Sequence, residues 1–441
     1  MKFGKLIVSN IAYRFFYLVT TIFITVLLTR LTTVNGYGVL SLMIANASFF
    51  NLVSCLGSES AVTYHYASGR LSRNKIFTII WFVVLFQLVL LAIFETIYMK
   101  ITGTYWVIKG NDIQFLWWGM VYLFAVTLTD KYAALFYGSH LYTSFNKIMV
   151  IGSLVSLAAF AGLYFFVSVG DVFFYLRLFI LANFFQALLL LGSFHLKQPH
   201  SVSFGSVRKQ DWRRFFSYSF IVFATNIIQF LAYRIDYWLV AFYKGDEELG
   251  LYSLAVRLNQ LFWILPLFFA GIIFPQTADS NIINSEVRVV RLTRITIAIL
   301  LVAELIALVL ATPIIPFVFG KAYQRSVGPF IYLLPGFFLF GINILLAAYY
   351  AGKKQLNVNF IGSTICFLIV LFLDLLLIPR YGIIGAATAS TVGYSVCGLY
   401  FVWRFTAFNR SKMANLLFLK PQDLTEIRHF VKYLFLRRDL L

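Results

Sequence analysis

FTIIWFVVLFQLVLLAIFETIYM, residues 77–99, is a run of 23 residues in which Glu95 is the one charged side chain. Wound as a helix at 1.5 Å per residue it extends about 34 Å, enough to cross the roughly 30 Å hydrocarbon core of a bilayer. Runs of this kind recur from Asn10 to Phe405, so a single anchor helix does not account for them. Of the 441 residues, 61% are hydrophobic and 12% charged, against about 25% charged in a soluble domain. With a mean hydropathy of +0.84, the chain carries more apolar surface than a water-soluble core absorbs. The expected fold class is all-α, a polytopic membrane protein.

Hydropathy places twelve spans near 10–31, 38–58, 77–99, 113–138, 147–168, 171–194, 214–243, 249–274, 293–318, 327–351, 357–378 and 383–407. An even number of spans puts both termini on one side. With that side cytoplasmic, the inner segments hold about 24 of the 36 lysines and arginines and about seven lie outside, the asymmetry that the positive-inside rule describes. The same distribution argues against nucleic-acid binding. The net charge is +19, but the basic residues sit in short segments between spans and not on one soluble face.

The run Ile11–Leu31, preceded by Lys2 and Lys5, is too long for the apolar core of a signal peptide and is expected to remain as the first helix. Cys55, Cys366 and Cys397 fall within spans and lack metal-ligand spacing, so neither a disulfide framework nor a metal site is expected. Outer connections such as Val34 to Tyr37 and Lys244 to Glu248 are too short to fold, and the longest, near Lys100 to Asp112, is hardly longer. No extramembrane catalytic domain, and no enzyme, is expected.

The polar, basic connection from His195 to Trp212 divides the chain into a six-helix lobe at 1–195, a cytoplasmic linker at 196–212 and a second lobe at 213–407. Gly38-Val39-Leu40-Ser41-Leu42 is echoed by Gly250-Leu251-Tyr252-Ser253-Leu254, as a parallel repeat requires. In the tail, 408–441, Pro421 can open a helix in which Leu424, Ile427, Val431, Leu434 and Phe435 recur among Arg428, Lys432, Arg437 and Arg438. It reads as a basic amphipathic helix on the inner leaflet, or as a tail helix packed on the protein's own loops.

Ionisable residues within the spans are Arg14, Glu95, Asp130, Lys131, Arg177, Arg234, Asp236, Arg257, Glu304 and Asp374. A charge at the bilayer centre costs roughly 2.5–3.5 kcal/mol on insertion scales, so each is expected to face a cavity or a partner. Arg257, eight residues into its span, lies roughly 12 Å deep, too far for easy snorkelling. Its forked donors suit a pyrophosphate; the competing reading is an ion pair with Asp236. Asp236 and Glu304 suit a coupling proton or sodium ion. Asp130 and Lys131 are adjacent and cannot pair face to face, so each needs its own partner, in the cavity or on a neighbouring helix. Glu59 and Asp374, near span ends, are weaker candidates whose charge interfacial water relieves. Tyr252 and Trp263, like Tyr13, Trp238 and Phe262, suit sugar stacking, but aromatics make up 19% of the chain and a lipid-facing role accounts for them more simply. Pro266, Pro275, Pro313, Pro316 and Pro335 interrupt or bound spans, where kinks are expected.

Three stretches carry a resemblance: Thr29-Arg30-Leu31 through Gly36-Tyr37-Gly38 with Leu56-Gly57-Ser58-Glu59-Ser60-Ala61; Asp236 with Leu249-Gly250-Leu251-Tyr252-Ser253-Leu254-Ala255-Val256-Arg257-Leu258 and Phe274-Pro275; and Phe319-Gly320-Lys321-Ala322-Tyr323 to Leu377-Ile378-Pro379-Arg380-Tyr381-Gly382-Ile383-Ile384-Gly385-Ala386-Ala387. Together they resemble the O-antigen and polysaccharide flippases of the multidrug/oligosaccharidyl-lipid/polysaccharide exporter superfamily. Twelve spans fit these better than the lipid II flippases, which usually carry fourteen.

The resemblance implies two six-helix lobes forming a V around a central cavity, with alternating access between them. It implies a flippase that carries an undecaprenyl-pyrophosphate-linked oligosaccharide from the inner to the outer leaflet of a bacterial inner membrane. Arg257 and Arg14 then contact the head group, with Arg234 as a further cavity cation. No cofactor is implied: without a Walker motif, an ion gradient of protons or sodium, or the membrane potential, must drive the cycle. The implied partners are the lipid-linked oligosaccharide, the bilayer, and a polysaccharide polymerase with its chain-length machinery, the protein itself acting as a monomer. A drug/cation antiporter of the same superfamily is the alternative, but it wants an acidic cavity, against Arg14, Arg234 and Arg257. A membrane-embedded glycosyltransferase or polymerase wants sizeable outer loops.

Overall fold

Inside lipid every backbone amide must be paired within its own segment or a closed sheet, which leaves a chain of this hydropathy one solution, the helix. A computed structural model describes residues 2–166, 171–198, 204–278 and 285–408, with Leu416 and Lys420. Among these residues there is no strand, and the elements run α1 (Lys2–Leu31), α2 (Val34–Cys55), α3 (Ser58–Ser68), α4 (Arg73–Thr102), α5 (Ile113–Gly138), α6 (Tyr142–Phe166), α7 (Val172–Lys197), α8 (Lys209–Asn259), α9 (Ile264–Ala278), α10 (Ser285–Phe319), α11 (Val327–Gly352) and α12 (Leu356–Phe408). The all-α expectation holds. The tail expectation falls on residues 409–441, outside the described residues apart from Leu416 and Lys420.

Ten described helical runs are long and apolar enough to cross a membrane. Two of them, Asn226–Phe274 with 49 residues and Leu356–Phe408 with 53, are about twice a span's length. Each is broken once, α8 at Gly245 (φ 86°, ψ 176°) and α12 at Gly382 (φ 59°, ψ −137°). Positive φ of this kind is a conformation that glycine adopts without a Cβ clash. Counting each broken run as two crossings makes twelve, as the hydropathy expects. One element differs: the second span stops at Cys55, Leu56 and Gly57 turn with positive φ, and Ser58–Ser68 forms a separate short helix. Pro266 explains a second irregularity, the 3₁₀ turn Gln260–Trp263 before α9, because its missing amide cannot bond to the carbonyl of Phe262. Pro313, Pro316 and Pro335 lie inside α10 and α11 without ending them.

Two compact units divide the chain at Ile227/Ile228, inside α8. In the first, α5 packs on α2, α3, α4, α6 and α7, while α1 lies on α6. In the second, α11 packs on α9, α10 and α12. Small residues permit that approach: a Cβ on Gly336 would stand 2.6 Å from the Thr391 Cα, and one on Gly398 2.6 Å from the Leu339 carbonyl oxygen. Helix α4 shows how the lipid face is chosen. Phe82, Phe86, Val89, Ile93, Ile97 and Ile101 are exposed in one stripe, whereas Ile76, Ile80, Val83, Gln87, Leu91 and Glu95 are buried.

The loop between α4 and α5 is closed by Glu95, whose carboxylate accepts the backbone amides of Trp106 at 2.7 Å and Val107 at 2.8 Å. Its place is therefore structural. Hydrogen bonds to a charged group contribute about 1.5–3 kcal/mol, so Glu95→Ala is expected to cost about 3 kcal/mol, read as a lowered midpoint of thermal unfolding in detergent.

The described part of the connection at 196–212 packs on the first unit. Thr78 Oγ1 donates to the Gly205 carbonyl at 3.0 Å, and Lys75 pairs with Asp211 at 2.8 Å. The compact unit accordingly runs on past residue 212. The hydrogen bond from Lys75, joined by the Arg208 amide, holds the Asp211 carboxyl below the usual carboxylate range. A depressed acid contributes stability above its ordinary pKa and loses it as pH falls through the lowered value. Deuterium exchange over 204–211 is thus expected to stay slow from neutral pH down to the ordinary carboxylate range and to quicken below it. Asp211→Asn is expected to quicken it already at neutral pH.

Candidate functional site

The second unit buries acids in a membrane-spanning region. Asp236 on α8, 1% exposed, accepts the Tyr252 hydroxyl at 2.6 Å, the Ser390 hydroxyl at 3.4 Å and the Tyr237 amide at 2.9 Å. Asp374 on α12 is 0% exposed, lies within coulombic reach of Asp236, and has no donor to either carboxylate oxygen among the described residues. Interfacial water does not relieve it; Asp374 stands eight residues before Gly382, about 12 Å along the helix. Two buried carboxylates within coulombic reach of each other repel, and a cation between them relieves the repulsion. The cluster Asp236, Asp374, Tyr252 and Ser390 is chemically a place for a proton or a small hard cation, with carboxylate and hydroxyl oxygens to hold it. Glu304 on α10, 7% exposed and with Oε1 unpartnered, stands apart from this hydrogen-bonded set.

Arg257, on α8 twelve residues past Gly245, is about 18 Å beyond the break at 1.5 Å per residue. It is exposed and makes no hydrogen bond or ion pair among the described residues. The competing reading, an ion pair with Asp236, is not what the structure holds, because Asp236 is occupied by Tyr252, Ser390 and the Tyr237 amide. Arg234 lies with its guanidinium 4.6 Å from the centre of the Tyr237 ring, a cation–π arrangement. Tyr252 and Trp263 are buried, so the lipid-facing account fails for both. Trp263 stacks on Phe337 with centroids 4.4 Å apart.

In the first unit Asp130 and Lys131 find separate partners, as adjacent helical residues must. Asp130 accepts from Asn51 Nδ2 at 2.7 Å, and Asn51 Oδ1 in turn accepts from Gln87 at 3.0 Å and Thr127 at 3.1 Å. Lys131, 0% exposed, donates to the Ser58 hydroxyl at 2.6 Å and pairs with Glu59 at 3.3 Å. Glu59, a weak candidate near a span end on sequence grounds, is therefore the counter-ion of a fully buried cation. Its place in the first turn of α3 is also where a helix favours negative charge. Arg14 is exposed and donates to the Tyr137 hydroxyl at 3.2 Å. Arg177 donates to Gln114 at 2.6 Å.

The sequence reading misses Tyr252, Ser390, Asn51, Gln87 and Ser58 as polar partners. Their signal is weak but present: each is a hydrogen-bonding side chain in or beside a predicted span. Among the described residues no group of three or more His, Cys, Asp or Glu side chains is placed to hold a metal.

A family profile described as "Polysaccharide biosynthesis protein" matches residues 27–328, more than half of the chain. Among curated proteins none matches. Among solved structures, the lipid II flippase MurJ in an inward closed conformation superposes with a TM-score of 0.71 at 16% identity, over 95% of this chain and 92% of that one. An inward-facing multidrug resistance MATE family transporter of the MOP superfamily gives 0.65 at 14% identity, over 87% and 96%. A MOP superfamily transporter from Pyrococcus furiosus gives 0.60 at 13%, over 92% and 96%. At these identities the likeness is one of fold.

Proposed function

Because the chain belongs to the polysaccharide biosynthesis protein family, we propose that it is a flippase that carries a polyprenyl-pyrophosphate-linked oligosaccharide, an O-antigen or capsule or exopolysaccharide unit, across the membrane. The carrier is undecaprenyl pyrophosphate and the movement runs from the inner to the outer leaflet by alternating access. The membrane is a bacterial inner membrane, with both termini cytoplasmic as the distribution of lysine and arginine favours. The observation that carries the reading is Arg257. A guanidinium about 18 Å along its helix from the break, with no ion-pair or hydrogen-bond partner among the described residues, is too costly to leave in hydrocarbon, so it faces water and an anionic ligand. Its fork fits the oxygens of a pyrophosphate bidentately. Arg234, in the same unit, is a further cation for that ligand, and Arg14, in the first unit, is a separate exposed candidate contact.

The Asp236–Asp374 cluster is where the driving cation, a proton or sodium, binds. Loading one such ion cancels one of the two buried negative charges, and emptying leaves an unfavourable charge pair that favours a different packing of α8 and α12. Neither step makes or breaks a covalent bond in the substrate.

The test is transport of a fluorescent lipid-linked oligosaccharide in proteoliposomes at matched insertion. Loss of a bidentate charge-assisted contact is expected to slow Arg257→Ala by about a hundredfold, with Arg257→Lys intermediate. Equal rates would make Arg257 structural. Failure of the wild type to move the probe, with efflux of a cationic drug instead, would favour the antiporter reading.

A further inference from the structure

Apart from the groups assigned above, the first unit holds an open pocket of about 810 Å³ whose walls include Tyr64, His65, Arg70, Gln210, Arg213 and Arg214. It forms where the end of α3 and the turn into α4 meet the first turns of α8. No carboxylate lines it. Arg70, Arg213 and Arg214 are exposed, and none has an ion-pair partner among the described residues. Asp211, the acid nearest in sequence, accepts both the Lys75 ammonium and the Arg208 amide at Oδ2 and acts on Arg214 only through space.

The pocket has a fixed frame. His65 is 4% exposed and stacks on Phe215 at 5.9 Å, and the Arg70 guanidinium lies 5.2 Å from the centre of the Tyr64 ring. Three guanidiniums facing one concavity repel each other, and an anion there removes the penalty. Their planar forks suit the tetrahedral oxygens of a phosphate better than a single carboxylate. The site also lies at a membrane surface: α2 ends just before α3, and the long apolar run of α4 begins at Arg73. Basic pockets at that level, between helices, are where phosphate head groups are met.

We propose that this pocket binds a phosphate or diphosphate group at the membrane surface, at a site separate from Arg257. The inference does not depend on the transport reading, since every wall residue lies in the first unit and none is assigned a part in translocation.

The experiment measures equilibrium binding of radiolabelled inorganic pyrophosphate to the full-length protein in zwitterionic nanodiscs, in an Arg257→Ala background so that the deep arginine does not contribute. Losing two guanidinium contacts is expected to weaken binding by about tenfold or more in Arg213→Gln/Arg214→Gln. Arg73→Gln, outside the pocket and engaged with Gln198, is expected to leave it unchanged. Arg213→Lys/Arg214→Lys, which keeps the charge, is expected to recover part of it and guards against misfolding. Competition by farnesyl diphosphate more strongly than by pyrophosphate would make a prenyl diphosphate the occupant, competition by phosphatidylglycerol in the disc would make it a phospholipid head group, and competition by neither would make it a soluble phosphate. Equal binding by the parent and the double glutamine variant, or no binding by the parent, would overturn the proposal.

Discussion

Asp374→Asn is expected to leave the protein at least as stable as the wild type while removing most of its ion-driven transport. The side chain is fully buried, no donor among the described residues reaches either carboxylate oxygen, and Asp236 stands within coulombic reach. An acid placed for stability would have donors, as Glu95 has the amides of Trp106 and Val107. Asparagine has nearly the same shape and never ionises, so it relieves a desolvation cost and raises stability by about 1 kcal/mol. It also removes half of the negative charge that would hold a cation. Transport is therefore expected to fall by about tenfold or more and to lose its dependence on the driving gradient. Flipping assayed under a sodium gradient and, separately, under a pH gradient identifies the ion, and thermal unfolding reads the stability. A variant that loses stability and transport together would mark Asp374 as a structural acid and leave the coupling site elsewhere.

Glu59→Ala is expected to cost about 3 kcal/mol, at the lower end for breaking a buried pair because the Glu59 side chain is 33% exposed. The damage comes from what remains, the Lys131 ammonium with no exposure and, among the described residues, only the Ser58 hydroxyl to accept from it. Removing the stranded charge as well, in Glu59→Ala/Lys131→Met, is expected to restore most of the loss, since an apolar replacement of both partners is often neutral. Unfolding midpoints of the single and double variants check the asymmetry. Should the double variant be no better than the single, Glu59 stabilises α3 by its place in the first helical turn and not through Lys131.

The buried pairings explain where sequence reading stops. Adjacent Asp130 and Lys131 announce that each needs a partner elsewhere, because a helix turns about 100° between them. Which partners they take, Asn51 on α2 and Glu59 on α3, depends on how those elements cross α5, and no spacing along the chain encodes that. Asp374 is misjudged for a related reason. Distance from a predicted span end says how deep a residue sits, while burial is set by the neighbouring helices around it. Arg257 shows the reverse case: its depth is legible, and the tertiary structure removes the ion pair with Asp236 that competed with a ligand-binding role.

By itself the sequence determined the fold class, the twelve crossings and their approximate ends. Bilayer thickness sets a length of apolar chain that only a helix can satisfy, and glycines such as Gly245 and Gly382 mark where a run turns back. The tertiary structure alone decided which face of each helix is buried. In α4 both faces are apolar, so the contrast between Phe86 outside and Val83 inside has no signature in hydropathy. It alone also separated buried charges that are satisfied, Glu95 and Lys131, from those left without a full set of donors among the described residues, such as Asp374, because hydrogen bonds act over about 3 Å and depend on side chains that packing brings together from distant parts of the chain.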